Sequence, residues 1–87
     1  MQLLGHQQRA TLTSAIGLTI PAGTAKVLLT VTGQPVRWRG DGTNPTATVG
    51  SVIPVGVPLM LEISQLEALR FIETAATAVL DAVFFGG

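Results

Sequence analysis

Apolar and polar residues alternate with a period of two through much of this chain. That period marks strands with one face in a core and the other near water. In AKVLLTVTG, Ala25, Val27, Leu29 and Val31 share one face, with Lys26, Thr30 and Thr32 mostly on the other. In PVRWRG, Val36 and Trp38 point one way and Arg37 and Arg39 the other. GLTIP alternates through Leu18 and Ile20, and PLMLEI through Leu59, Leu61 and Ile63. Turn-forming residues divide these runs at strand-sized intervals: Pro-Ala-Gly at 21–23, Gly33, Gly40 to Gly42, Gly50 and Pro-Val-Gly at 54–56. TIPAGTAKVLLTV (19–31) and VIPVGVPLMLEI (52–63) echo one another, each with Ile-Pro, a small residue and a Gly ahead of a strand. They read as matching corners of one sandwich, with the proline setting a turn and the glycine taking a left-handed conformation.

The C-terminal third admits two patterns. As a helix, Ser64 and Glu67 have capping-box spacing, and Leu66, Leu69, Ile72, Ala76, Val79 and Val83 follow a helical period. As strands, Leu69 and Phe71 alternate with Arg70 and Ile72, TAAT forms a turn, and Leu80, Ala82 and Phe84 alternate with Val79, Asp81 and Val83. The β-branched, aromatic ending favours strands, with a short turn or helical bend at 64–67. The expected fold is therefore all-β: a compact antiparallel β-sandwich or jelly-roll-like barrel of about seven or eight short strands. One domain covers residues 10–87, and residues 1–9 form an N-terminal arm that orders on neighbours.

Composition narrows the function classes. A chain of 87 residues makes one small domain, and folding at this size hides only about 60–65% of the unfolded surface. Without cysteine there is no disulfide, thiolate nucleophile or Cys-based zinc site. Five basic and five acidic residues balance, which gives no electrostatic footprint for nucleic acid. The chain is 47% apolar, yet no apolar run approaches the roughly 20 residues that span a bilayer. MQLLGHQQR lacks the basic flank and long apolar stretch of a signal peptide. A small, uncharged, apolar chain points to an assembly that covers part of its surface.

Catalytic patterns are missing. His6 has no carboxylate near it in sequence, and Asp41, Glu62, Glu67, Glu73 and Asp81 are scattered, so none has the local context of an acid–base pair. Glu67 and Glu73 read as surface charges. Ser14, Ser51 and Ser64 lack a nucleophile elbow, and the glycines of RGDGTNPTATVG form neither phosphate-binding nor dinucleotide patterns. No enzyme activity and no cofactor are expected. Asp41, Thr43 and Asn44 are clustered oxygen donors, but one carboxylate is too few for calcium; the simpler reading has Asp41 and Asn44 capping their own turn. Arg39-Gly40-Asp41 also spells the integrin-recognition tripeptide, a match that chance supplies readily, and Pro45 after Asn44 blocks N-glycosylation.

The stretch LTIPAGTAKVLLTVTGQPVRWRGDGTNPTATVGSVIPVG, followed by LEALRFI, resembles small structural proteins encoded by tailed bacteriophages. The likeness covers residues 16–72. Its most telling part is VRWRGDGTNPTATVG (36–50), with IPAG before it and LRFI after it in matching order and spacing; the family pattern carries a glycine where this chain has TAAT. The resemblance implies a β-sandwich on or within a virion, in the first place a capsid cement, or decoration, protein on the capsid surface that contacts the major capsid protein or another virion protein. A tail, collar or fibre component is the alternative within that context. Outside it stands a carbohydrate- or ligand-binding sandwich with Trp38 as the stacking platform and Asp41 and Asn44 as hydrogen-bonding groups for a sugar. Within the 36–50 loop, Gly40, Gly42 and Pro45 read as structural turn residues. Arg37 and Arg39 are outward charges able to bind a partner's carboxylates in bidentate fashion, with Asp41 beside them. On the last strand, Val79, Val83 and Phe85 lie opposite the core-facing residues, an apolar second face that needs a neighbour. A homo-oligomer, dimer or trimer, with contacts near this strand is the expectation.

Overall fold

A computed structural model of the chain describes residues 2–62 and 65–86. Seven strands and one 3-10 turn account for its regular structure: β1 (Gln2–Arg9), β2 (Thr24–Thr32), β3 (Val36–Arg39), β4 (Ser51–Ile53), β5 (Leu59–Leu61), the turn at Leu66–Ala68, β6 (Arg70–Glu73) and β7 (Val79–Gly86). They form a four-stranded sheet in the order β1-β7-β2-β5 and a three-stranded sheet in the order β4-β3-β6. Every pairing is antiparallel. This is the small β-sandwich that the alternation predicts.

The facing assignments follow from period two. Val27, Leu29 and Val31 of β2 and Leu80, Ala82 and Phe84 of β7 turn inward and are buried. From the opposing sheet come Val36, Ile53 and Phe71, with Leu12, Leu61, Leu66 and Leu69 closing the ends of the same core. Residues 69–84 are strands around a turn, not a helix, because the alternation of Leu69, Phe71, Leu80, Ala82 and Phe84 buries one side of a sheet. Ile63, the last position of the PLMLEI alternation, and Ser64, half of the capping-box pattern, lie outside the described residues; Gln65 stands at the start of the 3-10 turn.

Both echoed corners are β-turns of one kind. Thr24 N–H donates to the Pro21 carbonyl at 3.3 Å, and Val57 N–H to the Pro54 carbonyl at 3.3 Å. Gly23 and Gly56 take φ values of +86° and +79° at the third position, where the type II turn demands a left-handed residue. Each proline stands first in its turn and supplies the acceptor. A third corner is locked by close approach. Gly33 has φ +85°, and a Cβ on it would overlap the Thr77 carbonyl oxygen. Beside it, Thr74 N–H and Oγ1 both donate to the Pro35 carbonyl, at 3.0 and 2.9 Å.

Three expectations need correction. The GLTIP alternation at 17–21 forms no strand: next to the isolated bridge of Ile16 with Phe71 these residues are irregular, with Leu18 and Ile20 packed against the core. Residues 2–9 are not an arm outside the domain. They are the edge strand β1, paired with β7 from Gln2 opposite Gly86 to Arg9 opposite Leu80, with a bulge between Leu3 and Gly5. Gln7 also ties β1 inward, its Oε1 accepting from Thr19 N–H at 3.0 Å. Glu73 is not a surface charge either: it is buried, and its Oε1 accepts from Ala78 N–H at 3.2 Å across the 74–78 turn. It shares the inward face with Phe71, two residues before it on β6.

Candidate interaction surfaces

The loop at 40–50 is held by its own polar groups. Arg37, on the outer face of β3, reaches across the loop: Nε donates to the Ala47 carbonyl at 3.0 Å and Nη1 to the Gly50 carbonyl at 2.7 Å. Arg39 grips Asp41 with both ends of its fork, Nε to Oδ1 at 3.2 Å and a short bond from Nη2 to Oδ2. Asp41 Oδ1 also accepts from Thr43 N–H at 3.2 Å, the local turn bond expected of an Asp at this place. The hydrogen bonds from Arg39, and then from Thr43, hold the Asp41 carboxyl below the usual range, while Asp41 raises the Arg39 guanidinium. Asp41 is exposed and Arg39 partly so, so this pairing orients the loop more than it stabilises the fold.

Thr46 closes the second half of the loop, a role the sequence reading missed. Its hydroxyl accepts from Val49 N–H at 3.0 Å, and its backbone N–H donates to the Val49 carbonyl at 2.9 Å. Asn44, expected as a cap, is exposed. The reversal uses Gly42 (φ +83°) and Gly50 (φ +135°), not Gly40. At Gly50 the tight packing has a clear cause: a Cβ would meet Pro45 Cβ at 3.1 Å and the Trp38 carbonyl at 3.2 Å. Pro45 is buried and is the plug on which the loop folds. Thus Arg37, Arg39 and Asp41, singled out as partner-binding residues, each make at least two hydrogen bonds within this region, and Arg39 and Asp41 of the Arg-Gly-Asp triplet bond to one another.

Arg39 also lies opposite Arg70 of β6, a like-charged cross-strand pair that would repel if both charges were bare. Asp41 neutralises the first, and the second donates from Nη1 to the Glu67 and Leu69 carbonyls, each at 2.8 Å.

Trp38 faces inward beside Phe71 but is only partly buried, packed on the rim of the core. With Arg39, Gly40, Asp41, Val49, Gly50 and Ser51 it lines an open cleft of about 520 Å³ at one end of the sandwich.

The outer face of the four-stranded sheet is different in kind. Val79, Val83 and Phe85 point away from the core, as expected, and the register gathers further apolar residues around two of them. Phe85 lies opposite Leu3, Val83 opposite Leu28, and Leu28 opposite Met60. Leu3 is 64% exposed and Met60 41%. Polar groups adjoin this band, His6 opposite Val83 and Lys26 opposite Phe85: His6 Nε2 sits 3.1 Å from Asp81 Oδ1, and Lys26 Nζ 3.6 Å from Glu62 Oε1. His6 thus has a carboxylate neighbour that is 75 residues away in sequence. Only the antiparallel pairing of β1 with β7 brings the two together.

Among the described residues, no three of His, Asp and Glu gather closely enough to hold a metal ion. No helix of the described residues is long and apolar enough to cross a membrane. No family model matches the chain, and no curated protein or solved structure matches it.

Proposed function

We propose that this chain is a non-enzymatic structural protein of a tailed-phage virion, a cement or decoration protein that docks on the capsid surface through the outer face of its four-stranded sheet. The observation that carries the reading is the band of Leu3, Leu28, Met60, Val83 and Phe85 on that face. It is apolar and edged by the His6–Asp81 hydrogen bond and the Lys26–Glu62 ion pair, the anatomy of an interface with a dry centre and a polar rim. The resemblance over residues 16–72 supplies the virion context and the major capsid protein as partner. One small protomer offers a modest area, so holding strength comes from many symmetric copies.

Mixing the purified protein with capsids that lack it, followed by sedimentation, tests the reading. Saturable co-sedimentation is the expected result. Val83→Glu should leave the fold intact and weaken binding more than about 100-fold, since an unpaired charge buried in an interface costs about 3 kcal/mol or more. Absence of saturable binding by the unaltered protein would refute the docking proposal. Particle imaging that places the chain on a tail, collar or fibre would move it to the alternative position.

A second reading, a carbohydrate-binding module, is favoured by the incomplete burial of Trp38 in the open cleft, since an accessible indole can stack on a sugar ring. Titration with oligosaccharides, followed by tryptophan fluorescence, should shift the emission if this reading is right; an unchanged spectrum rejects it.

A further inference from the structure

A sandwich has four sheet edges, and here three are closed or short. β5 and β4 are three residues each, and β5 follows Pro58. The edge at β6 is covered by the chain itself: Ile16 and Phe71 exchange backbone hydrogen bonds at 2.9 and 2.8 Å, and Glu73 N–H donates to the Leu12 carbonyl at 3.0 Å. β1 is the exception. It runs for eight residues, and among the described residues its only ladder partner is β7 and no other backbone group bonds to its main chain.

Natural proteins blunt such an edge with prolines, lysines or bulges, because unpaired N–H and C=O groups recruit another strand. β1 has a bulge near one end, between Leu3 and Gly5. Its regular stretch from Gly5 to Arg9 contains neither proline nor lysine. We infer that β1 pairs antiparallel with β1 of a second copy about a two-fold axis near Gln7, joining two four-stranded sheets into one continuous eight-stranded sheet.

Charge selects this arrangement. Arg9 is the one ionised side chain in the strand apart from the titratable His6. A two-fold at Gln7 sets Arg9 opposite Gly5 of the second copy, so the two Arg9 residues lie four positions apart, about 13 Å at 3.3 Å per residue. That exceeds the screening length of about 8 Å in physiological salt. Parallel pairing would set the two Arg9 residues side by side, at roughly 4.8 Å between strands. Around the axis the facing pairs are uncharged amides and imidazole: Gln7 with its own copy, and His6 with Gln8. The zero net charge of each chain removes long-range repulsion between copies.

Self-pairing also closes, as an isologous contact must. Pairing of β1 with the three-residue β5 of a neighbour would be shorter and would propagate into an open fibre. Leu3 and Phe85 sit next to the edge on the outer face, so the joined sheet carries the apolar bands of both copies on one surface. The inference stands on the edge alone and draws nothing from the virion reading.

The test needs no capsid. Light scattering on the purified chain at increasing concentration should rise from the 9.0 kDa protomer to twice that mass and stop. Along an antiparallel strand successive N–H groups point to opposite sides. In the dimer every amide of residues 5–9 should therefore be protected, whereas dilution to monomer should release alternate ones by about tenfold or more. Because the chain has no cysteine, Gln7→Cys should cross-link on mild oxidation, while Gln2→Cys, five positions from the axis, should not. Val83→Glu should still dimerise, which separates the edge from the outer face. A 9.0 kDa mass at all concentrations, a trimer, or a dimer whose alternate β1 amides remain exchange-competent would each overturn the inference.

Discussion

The 40–50 loop and the outer face of the four-stranded sheet invert the usual expectation about which residues are available. The loop is polar and exposed, but Arg37 and Arg39 of β3, with Asp41 and Thr46 of the loop, bond to one another and to the local backbone. The sheet face carries an apolar band, and on it Leu3 stays 64% and Met60 41% exposed. A side chain is free for a partner only when its own chain has no use for it. By that measure the valines and leucines of the sheet are freer than the charges of the loop.

The sharpest test of the sheet compares two neighbours on β7. Phe84→Ala removes a fully buried ring and should cost about 3–5 kcal/mol. For a domain whose whole stability is about 5–15 kcal/mol, that leaves it near unfolding, as a denaturant titration would reveal. Val83→Ala, one residue earlier and facing out, should cost under about 1 kcal/mol in the isolated chain. Equal costs would mean that the outer face is covered in the monomer.

In the loop, Gly50→Ala forces a side chain into a left-handed conformation against Pro45 and the Trp38 carbonyl. The expected loss is about 1–3 kcal/mol, read as a lowered melting temperature. Arg37→Ala removes two charge-assisted hydrogen bonds to carbonyls and should cost about 1 kcal/mol at this partly exposed site. Faster amide exchange confined to residues 46–50 should accompany it. If capsid binding is lost as well while the loop stays ordered, Arg37 is a partner contact and the comparison fails.

The smallest effect is acidification. Because the folded carboxyl of Asp41 lies below its ordinary value, its contribution is fully present above the unfolded pKa and disappears as pH falls through the folded one. The exposed pair is screened by water, so the change should show in the Thr43 amide resonance and barely in the melting temperature.

Alternation made the strands facing the core legible. β2, β3 and β7 carry it through five or more residues or through a single large apolar anchor, and the paired Ile-Pro corners mark where sheets are left and entered. β1 was not legible, since QLLGHQQR has no period-two pattern and its strand character depends on a partner at the far end of the chain. Glu73 carried a usable signal: it continues the inward parity of Leu69 and Phe71, and its charge outweighed its position in the reading. For Arg37 and Arg39 the side of the sheet was evident, whereas their consumption by the loop was not. Hydrogen bonds to carbonyls ten and thirteen residues away depend on how the loop returns, which no local pattern encodes.

Gln2 lies opposite Gly86 at the head of the β1–β7 ladder, and this closure has a kinetic consequence. Zipping β1 onto β7 must gather nearly the whole chain before any contact rewards it, so the order of events in folding is set by the longest loop in the molecule. A circular permutant, with residues 86 and 2 joined by a few glycines and new ends opened at the exposed Gly56 turn, keeps every native pairing while turning that longest-range closure into a hairpin. Its equilibrium stability should change little. Its refolding rate, followed by stopped-flow tryptophan fluorescence, should rise.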